Sequence, residues 1–476
     1  MIFNSFQFLW LFPLIFVGYY AVSFFLQKKN LGRESNLLLL LISYALYMQY
    51  EPWCALVLLW VTCFTYFVAL ALSNNRTHRK ILCWIGVLMG VFPLLLFKYY
   101  NFLSDNINSL LGHSALPGLN WAIPIGISFF TFQAIGYLVD VYHKRISAED
   151  NFLDYALFVS FFPQIMSGPI SKASELLPQI KRKRVFDEKK AVQGLKFLLW
   201  GMFLKTVLAD RLGLYVDSVY GNYQYQSGLS CLVASFMYTL QIYGDFAGYS
   251  LMAVGVGKLM GFDLINNFSR PYWASSITDF WKRWHISLTR WLTTYVYIGL
   301  GGNRCSKLRQ YWNIIVTFLV SGIWHGANWT FILWGVVHGL LQCIEKLAGL
   351  DPKGKYAHVH LIEKIKPFRI LLTFLLVNFA WILFRLPSLS TAKVVFGKIF
   401  SWEGAGLFLP SSSACFFMLF ALCIVIGKEC CEEYFPKAQL FENKHVVIRW
   451  VSYLVLLSMI LLCGVFDSSQ FIYVKF

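Results

Sequence analysis

The sequence predicts an all-α protein that crosses a membrane many times, and three observations lead to this fold class. The chain has 476 residues, of which 58% are hydrophobic and only 14% charged, whereas soluble domains carry about 25% charged residues. Apolar runs of roughly 20 residues, long enough to cross a bilayer, recur along the whole sequence. Lysines and arginines lie in short clusters between these runs. We therefore expect one polytopic membrane domain over residues 1–476.

The apolar runs predict about 11 to 13 spanning or re-entrant helices. The first run has no basic segment before it and no small-residue cleavage site after it, so we interpret it as a retained helix and not a removed signal. Three shorter or paired pieces, at 153–166, 311–326 and 327–345, are expected to be tilted or re-entrant. The longer candidate spans are 6–26, 36–50, 53–72, 81–100, 121–142, 194–217, 229–257, 370–386, 413–427 and 447–466.

The placement of positive charge predicts the orientation. Basic connecting segments hold 33 of the 41 Lys and Arg, and they alternate with segments such as 101–120 and 218–228 that hold none. Because basic loops face the cytoplasm, the alternation puts both termini outside it. The net charge of +17 is then a consequence of topology, and we expect membrane lipid, not nucleic acid, as the partner. The basic segments are 27–35, 73–80, 143–150, 171–192, 258–310, 346–369 and 428–449.

Several motifs are missing from the sequence. The 11 cysteines form no CxxC pair, so we expect reduced thiols and no disulfide framework. We also find no Walker loop, GxSxG elbow or HExxH pair. We therefore expect no metal and no bound cofactor, and the energy for any reaction must enter with an activated donor.

Segment 258–310 is too polar to span and too aromatic for a free loop, so we expect it at the cytoplasmic membrane surface. Ser276 suits a helix start. Aromatic residues follow at helical spacing, while Lys282 and Arg283 lie off that face, which is typical of an interfacial amphipathic helix. Its predicted apolar face consists of Trp281, Trp284, His285, Leu288 and Trp291.

His325 is the strongest candidate for chemistry, because it ends the apolar run 314–324 and an ionisable group at membrane depth is costly. Gly322 and Gly326 beside it permit close approach of backbone or ligand. A neutral imidazole can act as a general base. From the residues alone, a histidine bonded to a helix carbonyl for packing is an equal alternative.

Other ionisable residues in apolar surroundings have simpler interpretations. His285 and His338 are expected to be structural, with His338 packed among apolar neighbours. Lys205 and Asp210 are expected to pair with each other. Asp245 either pairs internally or lines a polar path.

Seven stretches together resemble the membrane-bound O-acyltransferase (MBOAT) family, in the branch that contains the membrane subunit of bacterial alginate O-acetyltransferase. They occur in family order over nearly the whole chain. Departures at Leu251, at Thr293-Thr294 and at Gly299 leave the acceptor open. The matching stretches are Pro124 to Gln133, Phe162 to Ile170, Ser276 to Leu288, Leu300 to Arg304, Gly322 to Phe331, Asn378 to Trp381 and Phe471 to Tyr473.

The resemblance implies a ring of tilted helices around a tunnel that opens to both sides of the membrane. It implies that His325, in the helices of residues 311–345, is catalytic, and that His285 is the second motif histidine. Arg283 could attract donor phosphates, although interfacial anchoring explains it equally well. The other residues expected to bind substrate or line the tunnel are Trp281, Trp284, Trp324, Asn328, Asp245 and Tyr243.

The expected function is acyl transfer in a bacterial cytoplasmic membrane. Acetyl-CoA or another acyl thioester would be the cytosolic donor. The acceptor would be the hydroxyls of an exported, alginate-like polysaccharide, reached directly or through a periplasmic or extracellular partner protein. Transfer of D-alanine or another acyl group to teichoic acid or lipid is an alternative, and a glycan or small-molecule transporter is a second.

Overall fold

The computed structural model describes residues 3–28, 34–49, 51–75, 77–352, 354, 364–435 and 441–466. Every regular element in these ranges is a helix, which confirms the predicted all-α class. The chain forms two compact units: Met1–Leu195 with Ala253–Ile265, and Lys196–Met252 with Asn266–Phe476.

The first unit consists mainly of the N-terminal helices. A π-helical turn, Leu95–Tyr99, joins the fourth to the fifth. The helices are α1 (Phe6–Lys28), α2 (Glu34–Met48), α3 (Cys54–Asn74), α4 (Arg79–Leu94), α5 (Tyr100–Leu111), α6 (Ile127–Tyr142), α7 (Phe152–Ser160), α8 (Phe162–Ile165) and α9 (Ala173–Ile180).

The second unit contains the predicted catalytic and substrate-binding residues. Two helices, α10 and α12, run from one unit into the other, and π-helical turns occur at Phe203–Ala209 and Thr293–Tyr297. The helices are α10 (Glu188–Met202), α11 (Asp210–Tyr220), α12 (Gly228–Leu259), α13 (Ile277–Arg283), α14 (Ile286–Leu292), α15 (Lys307–His325), α16 (Trp329–Leu347), α17 (Lys366–Arg385), α18 (Leu389–Ser401), α19 (Ser412–Tyr434) and α20 (Val446–Cys463).

Seven helical stretches of the described chain are long and apolar enough to cross a membrane, and three shorter apolar helices accompany them. Every predicted apolar run overlaps a helix, although α6 begins only at Ile127 within the run 121–142 and the run 153–166 is divided between α7 and α8. The protein is a multi-pass membrane protein. The seven stretches are Phe6–Phe25, Cys54–Asn74, Arg79–Leu111, Glu188–Tyr220, Lys366–Arg385, Ser412–Tyr434 and Val446–Cys463.

The predicted loop 101–120 is wrong in its first half, because helix α5 continues to Leu111 and ends at Gly112, which has a left-handed φ of 72°. Polar residues of this segment stabilise the helix end. The side chain of Asn108 accepts hydrogen bonds from the backbone N–H groups of Ala115 and Leu116, both at 2.9 Å. The polar residues of segment 101–120 therefore belong in part to the last turns of a helix, which continues past the predicted boundary.

Glycines allow α15 and α16 to pack with their backbones in contact. A Cβ atom on Gly322 would lie 2.3 Å from the carbonyl oxygen of Phe331, and one on Gly335 would lie 2.4 Å from that of Phe318. No real Cβ atom tolerates such distances. The predicted close approach at Gly322 is thus confirmed, with backbone as the neighbour.

We expect Gly322→Ala to lower the free energy of unfolding by about 1–3 kcal/mol, because the added methyl group must push the two helices apart. Thermal unfolding in detergent measures this. Gly397→Ala on α18 is the matched control, since nothing lies within 4 Å of its Cβ position and alanine favours a helix. Equal stability of the two variants would contradict the tight crossing.

Candidate active site

The segment around His285 is two short helices with a sharp break, so the predicted continuous amphipathic helix is wrong. Ser276 begins α13 as expected, since its Oγ accepts the backbone N–H of Asp279 at 3.0 Å. The chain then turns at His285, whose φ of 42° and ψ of 55° are left-handed. Helical spacing alone does not reveal one non-glycine residue in this conformation.

The aromatic face on both sides of the break packs inside the protein. The side chains of Trp281, Trp284 and Trp291 are buried, and His285 is inaccessible to solvent. Asn267 supports the turn, because its carbonyl oxygen accepts the N–H of Ile286 at 2.9 Å. Burial lowers the pKa of His285 to about 3, so its imidazole is neutral at physiological pH.

His325 lies at the last residue of α15, in an enclosure of aromatic rings. Its imidazole is 4% exposed. Ring centroids of Trp324, Phe384 and Trp334 lie 4.9, 5.0 and 5.2 Å from its own. These rings keep the imidazole away from bulk solvent, and an imidazole is a side chain that can act as a general base.

Indole rings alternate with imidazoles through this part of the unit. Trp324 lies 5.8 Å from the ring of His285 and also contacts His325. Trp334 contacts His325 and, at 4.9 Å, His338. The structure therefore connects His285, His325 and His338 through tryptophan rings that they share as neighbours. This proximity was not evident from the sequence, in which the histidines are 40 and 13 residues apart.

A cavity of about 210 Å³ lies beside these rings, between α13, α14, α15 and α16. Along α15 its wall includes Thr317, Phe318 and Ser321. His325 follows Ser321 by four residues and so shares that helical face. The complete lining is Trp281, Leu288, Thr289, Leu292, Thr293, Tyr297, Asn303, Ile314, Thr317, Phe318, Ser321, Gln342 and Lys346.

Arg283 is held in an ion-pair network at the end of α19. Its guanidinium lies 3.1 Å from Asp279 and 3.1 Å from Glu433. Arg270 joins the same Glu433 at 2.8 Å. These carboxylates balance the charge of Arg283 and fix α13 to α19, so contact with a donor phosphate stays a prediction.

Asn328 and Tyr243 also have definite structural partners. The side chain of Asn328 caps α16 by accepting the N–H of Thr330 at 3.0 Å, and it donates to the carbonyl of Pro387 at 2.6 Å. Tyr243 donates to the buried carboxylate of Glu429. The contacts of Asn328 stabilise the turn after His325, and the contact of Tyr243 links α12 to α19. Substrate contact by either residue stays a prediction.

Lys205, Asp210 and Asp245 form a buried ionic triad. The Lys205 Nζ lies 2.5 Å from Asp210 Oδ1 and 2.6 Å from Asp245 Oδ1, with all three side chains at most 1% exposed. The predicted pairing of Lys205 with Asp210 is confirmed, and Asp245 joins it. Asp245 is thus anchored within the second unit.

Three rings around the histidines were absent from the predicted site: Trp334, Trp381 and Phe384. Trp334 precedes His338 by four residues on α16, so helical spacing placed both on one face, but nothing showed that this face meets His325. Among the described residues, no group of three or more His, Cys, Asp or Glu is placed to hold a metal ion. The motif Phe471 to Tyr473 lies outside the described residues.

The fold is that of a multi-pass helical membrane protein, and comparison with known proteins gives its class. The model of the MBOAT, membrane-bound O-acyltransferase family matches residues 2–350. The chain belongs to this family, as the motifs predicted, and is an acyltransferase.

Three relatives show the range of acceptors in similar proteins. A probable alginate O-acetylase of Pseudomonas aeruginosa is 37% identical over 409 residues, 84% of this chain and 75% of its own. A peptidoglycan O-acetyltransferase of Helicobacter pylori is 34% identical over 453 residues, 88% of this chain and 83% of its own. A teichoic acid D-alanyltransferase of Bacillus subtilis is 27% identical over 302 residues, 59% of this chain and 73% of its own.

Proposed function

We propose that this chain transfers an acetyl group from a cytosolic thioester, of the acetyl-CoA type, to hydroxyl groups of a polysaccharide outside the cytoplasm. The observation that carries the proposal is His325, buried at the end of α15 on the helical face that also lines the cavity. Two similar proteins are named for acetylating polysaccharides, alginate and peptidoglycan, and both acceptors present sugar hydroxyls.

The proposed reaction follows from the placement of the His325 imidazole. His325 removes the proton of the acceptor hydroxyl, whose oxygen attacks the thioester carbonyl carbon. The carbon–sulfur bond then breaks, an ester forms, and the thiolate leaves with the proton from the His325 imidazolium. The rings of Trp324 and Trp334 exclude water, which would otherwise hydrolyse the thioester.

The cavity suits the arm of the donor. Hydroxyl and amide side chains line it, and these can pair with the two amide groups of a pantetheine chain. Trp281 and Leu288 supply apolar surface, while Lys346 supplies a positive charge at the far end of α16 from Trp329. The donor thioester would then extend toward His325 along the face of α15.

We also propose that the enzyme resides in the bacterial cytoplasmic membrane, with the basic connecting segments in the cytosol and both termini outside. The alternation of basic and uncharged connecting segments supports this orientation. A periplasmic or extracellular protein could carry the acetyl group from the enzyme to the glycan, since a buried site gives limited access to a polymer.

We expect deletion of the gene to remove ester-linked acetate from one class of surface polysaccharide without reducing the amount of that polysaccharide. Mild alkali releases such acetate, which is measured separately in peptidoglycan and in secreted polymer. Labelled acetyl-CoA added to inverted membrane vesicles tests the donor. The wild-type gene should restore the ester and the transfer of label.

Three outcomes would contradict the proposal. Unchanged ester-linked acetate in every fraction would exclude acetyl transfer to a polysaccharide. Loss of ester-linked D-alanine instead would favour the alternative based on the teichoic acid relative. Loss of the secreted polymer itself would favour a transporter.

A further inference from the structure

His338 on α16 is fully buried and has one polar contact that fixes its chemistry. Its Nδ1 lies 3.3 Å from Nε1 of Trp281, across 57 residues of sequence. An indole N–H can only donate, so His338 Nδ1 must be unprotonated and accept. The imidazole therefore serves here as a hydrogen-bond acceptor and not merely as a packing group.

The indole held by this bond is also a wall of the cavity. Trp281 and Phe318 both line that space, and the ring of Phe318 lies 5.2 Å from that of Trp281. The ring of His338 contacts both, at 5.1 Å from the Trp281 ring and 6.2 Å from the Phe318 ring. One face of the indole region thus meets the cavity while its N–H is fixed by His338.

The same imidazole also reaches the enclosure of His325. The ring of Trp334 lies 4.9 Å from His338 and 5.2 Å from His325, and it also lies 5.6 Å from Trp281. Because these rings are packed against each other, displacement of one requires displacement of the next. His338 therefore supports both the cavity wall and a wall of the His325 enclosure.

We propose that His338 is a positioning residue for acyl transfer, which holds Trp281 so that the donor cavity stays closed to water on the side of His325. This role rests on the proposed function, since it assumes that the cavity holds a thioester donor. Without the acceptor nitrogen, Trp281 retains a buried N–H that it can satisfy only by turning out of its position. Water then gains access to the thioester, and transfer falls while hydrolysis does not.

Replacement of His338 by phenylalanine and by asparagine separates the hydrogen bond from the packing. Phenylalanine keeps a ring but has no acceptor, whereas the Oδ1 of asparagine occupies the place of Nδ1. We expect His338→Phe to lower acetyl transfer from acetyl-CoA to surface glycan about tenfold, as the loss of one buried hydrogen bond predicts. The release of free CoA without transfer should stay equal or rise. His338→Asn should recover transfer to within about threefold of the wild type.

Trp281→Phe removes the donor of the same bond and provides a second route to the answer. It should reproduce the shift from transfer to hydrolysis, and the double variant Trp281→Phe, His338→Phe should be no worse than the single variants, since both remove one interaction. Trp312→Phe on the exposed side of α15 is the control, because that indole is 56% exposed; its transfer should be unchanged.

The proposal fails if His338→Phe and His338→Asn transfer equally well, or if the effects of His338→Phe and Trp281→Phe multiply. If His338→Phe does not fold, an unchanged ratio of transfer to hydrolysis in Trp281→Phe overturns it. Failure of the proposed function has a different signature: the wild-type protein would then transfer no acetyl group from acetyl-CoA, and deletion of the gene would leave ester-linked acetate unchanged in every fraction. A normal His338→Phe beside an inactive His325→Ala would refute only the role of His338.

Discussion

His325→Ala is expected to reduce acetyl transfer about a thousandfold, within the range that general base catalysis contributes. The variant removes the imidazole but leaves the surrounding rings in place. Thermal unfolding in detergent should change little by comparison, since His325 is the last residue of its helix. Transfer of labelled acetate from acetyl-CoA to surface glycan measures the effect.

His325→Gln and His113→Ala are the controls for this prediction. Glutamine is polar and similar in volume but cannot take up a proton, so it should be as inactive as alanine. His113 is an exposed histidine near the end of α5, and its loss should leave transfer unchanged. Normal transfer by both His325 variants would show that another group accepts the proton.

Lys205→Met is expected to cause the largest loss of stability, about 3–5 kcal/mol in the free energy of unfolding. Lysine is the shared partner of two buried carboxylates, at 2.5 and 2.6 Å. Its removal leaves Asp210 and Asp245 to repel each other in surroundings without water. The expected observation is a low yield of folded protein and a strongly lowered unfolding temperature in detergent.

Replacement of the whole triad should recover much of this loss. Lys205→Met combined with Asp210→Asn and Asp245→Asn leaves no uncompensated charge. Lys393→Met is the control for loss of a lysine, because that residue lies on the exposed side of α18 and surface substitutions change stability by about 0.5 kcal/mol or less. A Lys205→Met protein as stable as the wild type would contradict the ionic account.

The sequence predicted those features that local physics determines. Ionisable residues in apolar runs identified His325 and the Lys205–Asp210 pair, because burial of charge is costly wherever it occurs. Length and hydropathy located the helices, and the capping role of Ser276 followed from its residue type. Family motifs added the expectation of a functional role for His285, which spacing alone assigned to structure, and that role stays a prediction.

Long-range pairing could not be predicted in this way. The bond from Trp281 to His338 joins residues 57 positions apart, and Asp245 reaches Lys205 from another helix. The cavity also depends on side chains from four helices, α13 to α16. The break at His285 was not predicted for a different reason, because a single left-handed residue leaves the pattern of apolar residues unchanged on both sides.

The left-handed backbone at His285 means that a substitution there changes backbone strain as well as the side chain. An L-amino acid with a Cβ atom is disfavoured there by about 1–2 kcal/mol relative to its right-handed form, and glycine would relieve the strain. The fold therefore tolerates backbone strain at a position that carries an imidazole. His285→Ala removes the imidazole but keeps a Cβ atom in the left-handed conformation, whereas His285→Gly removes both the imidazole and the strain. Comparison of the two variants therefore separates the contribution of the ring from the energetic cost of the turn.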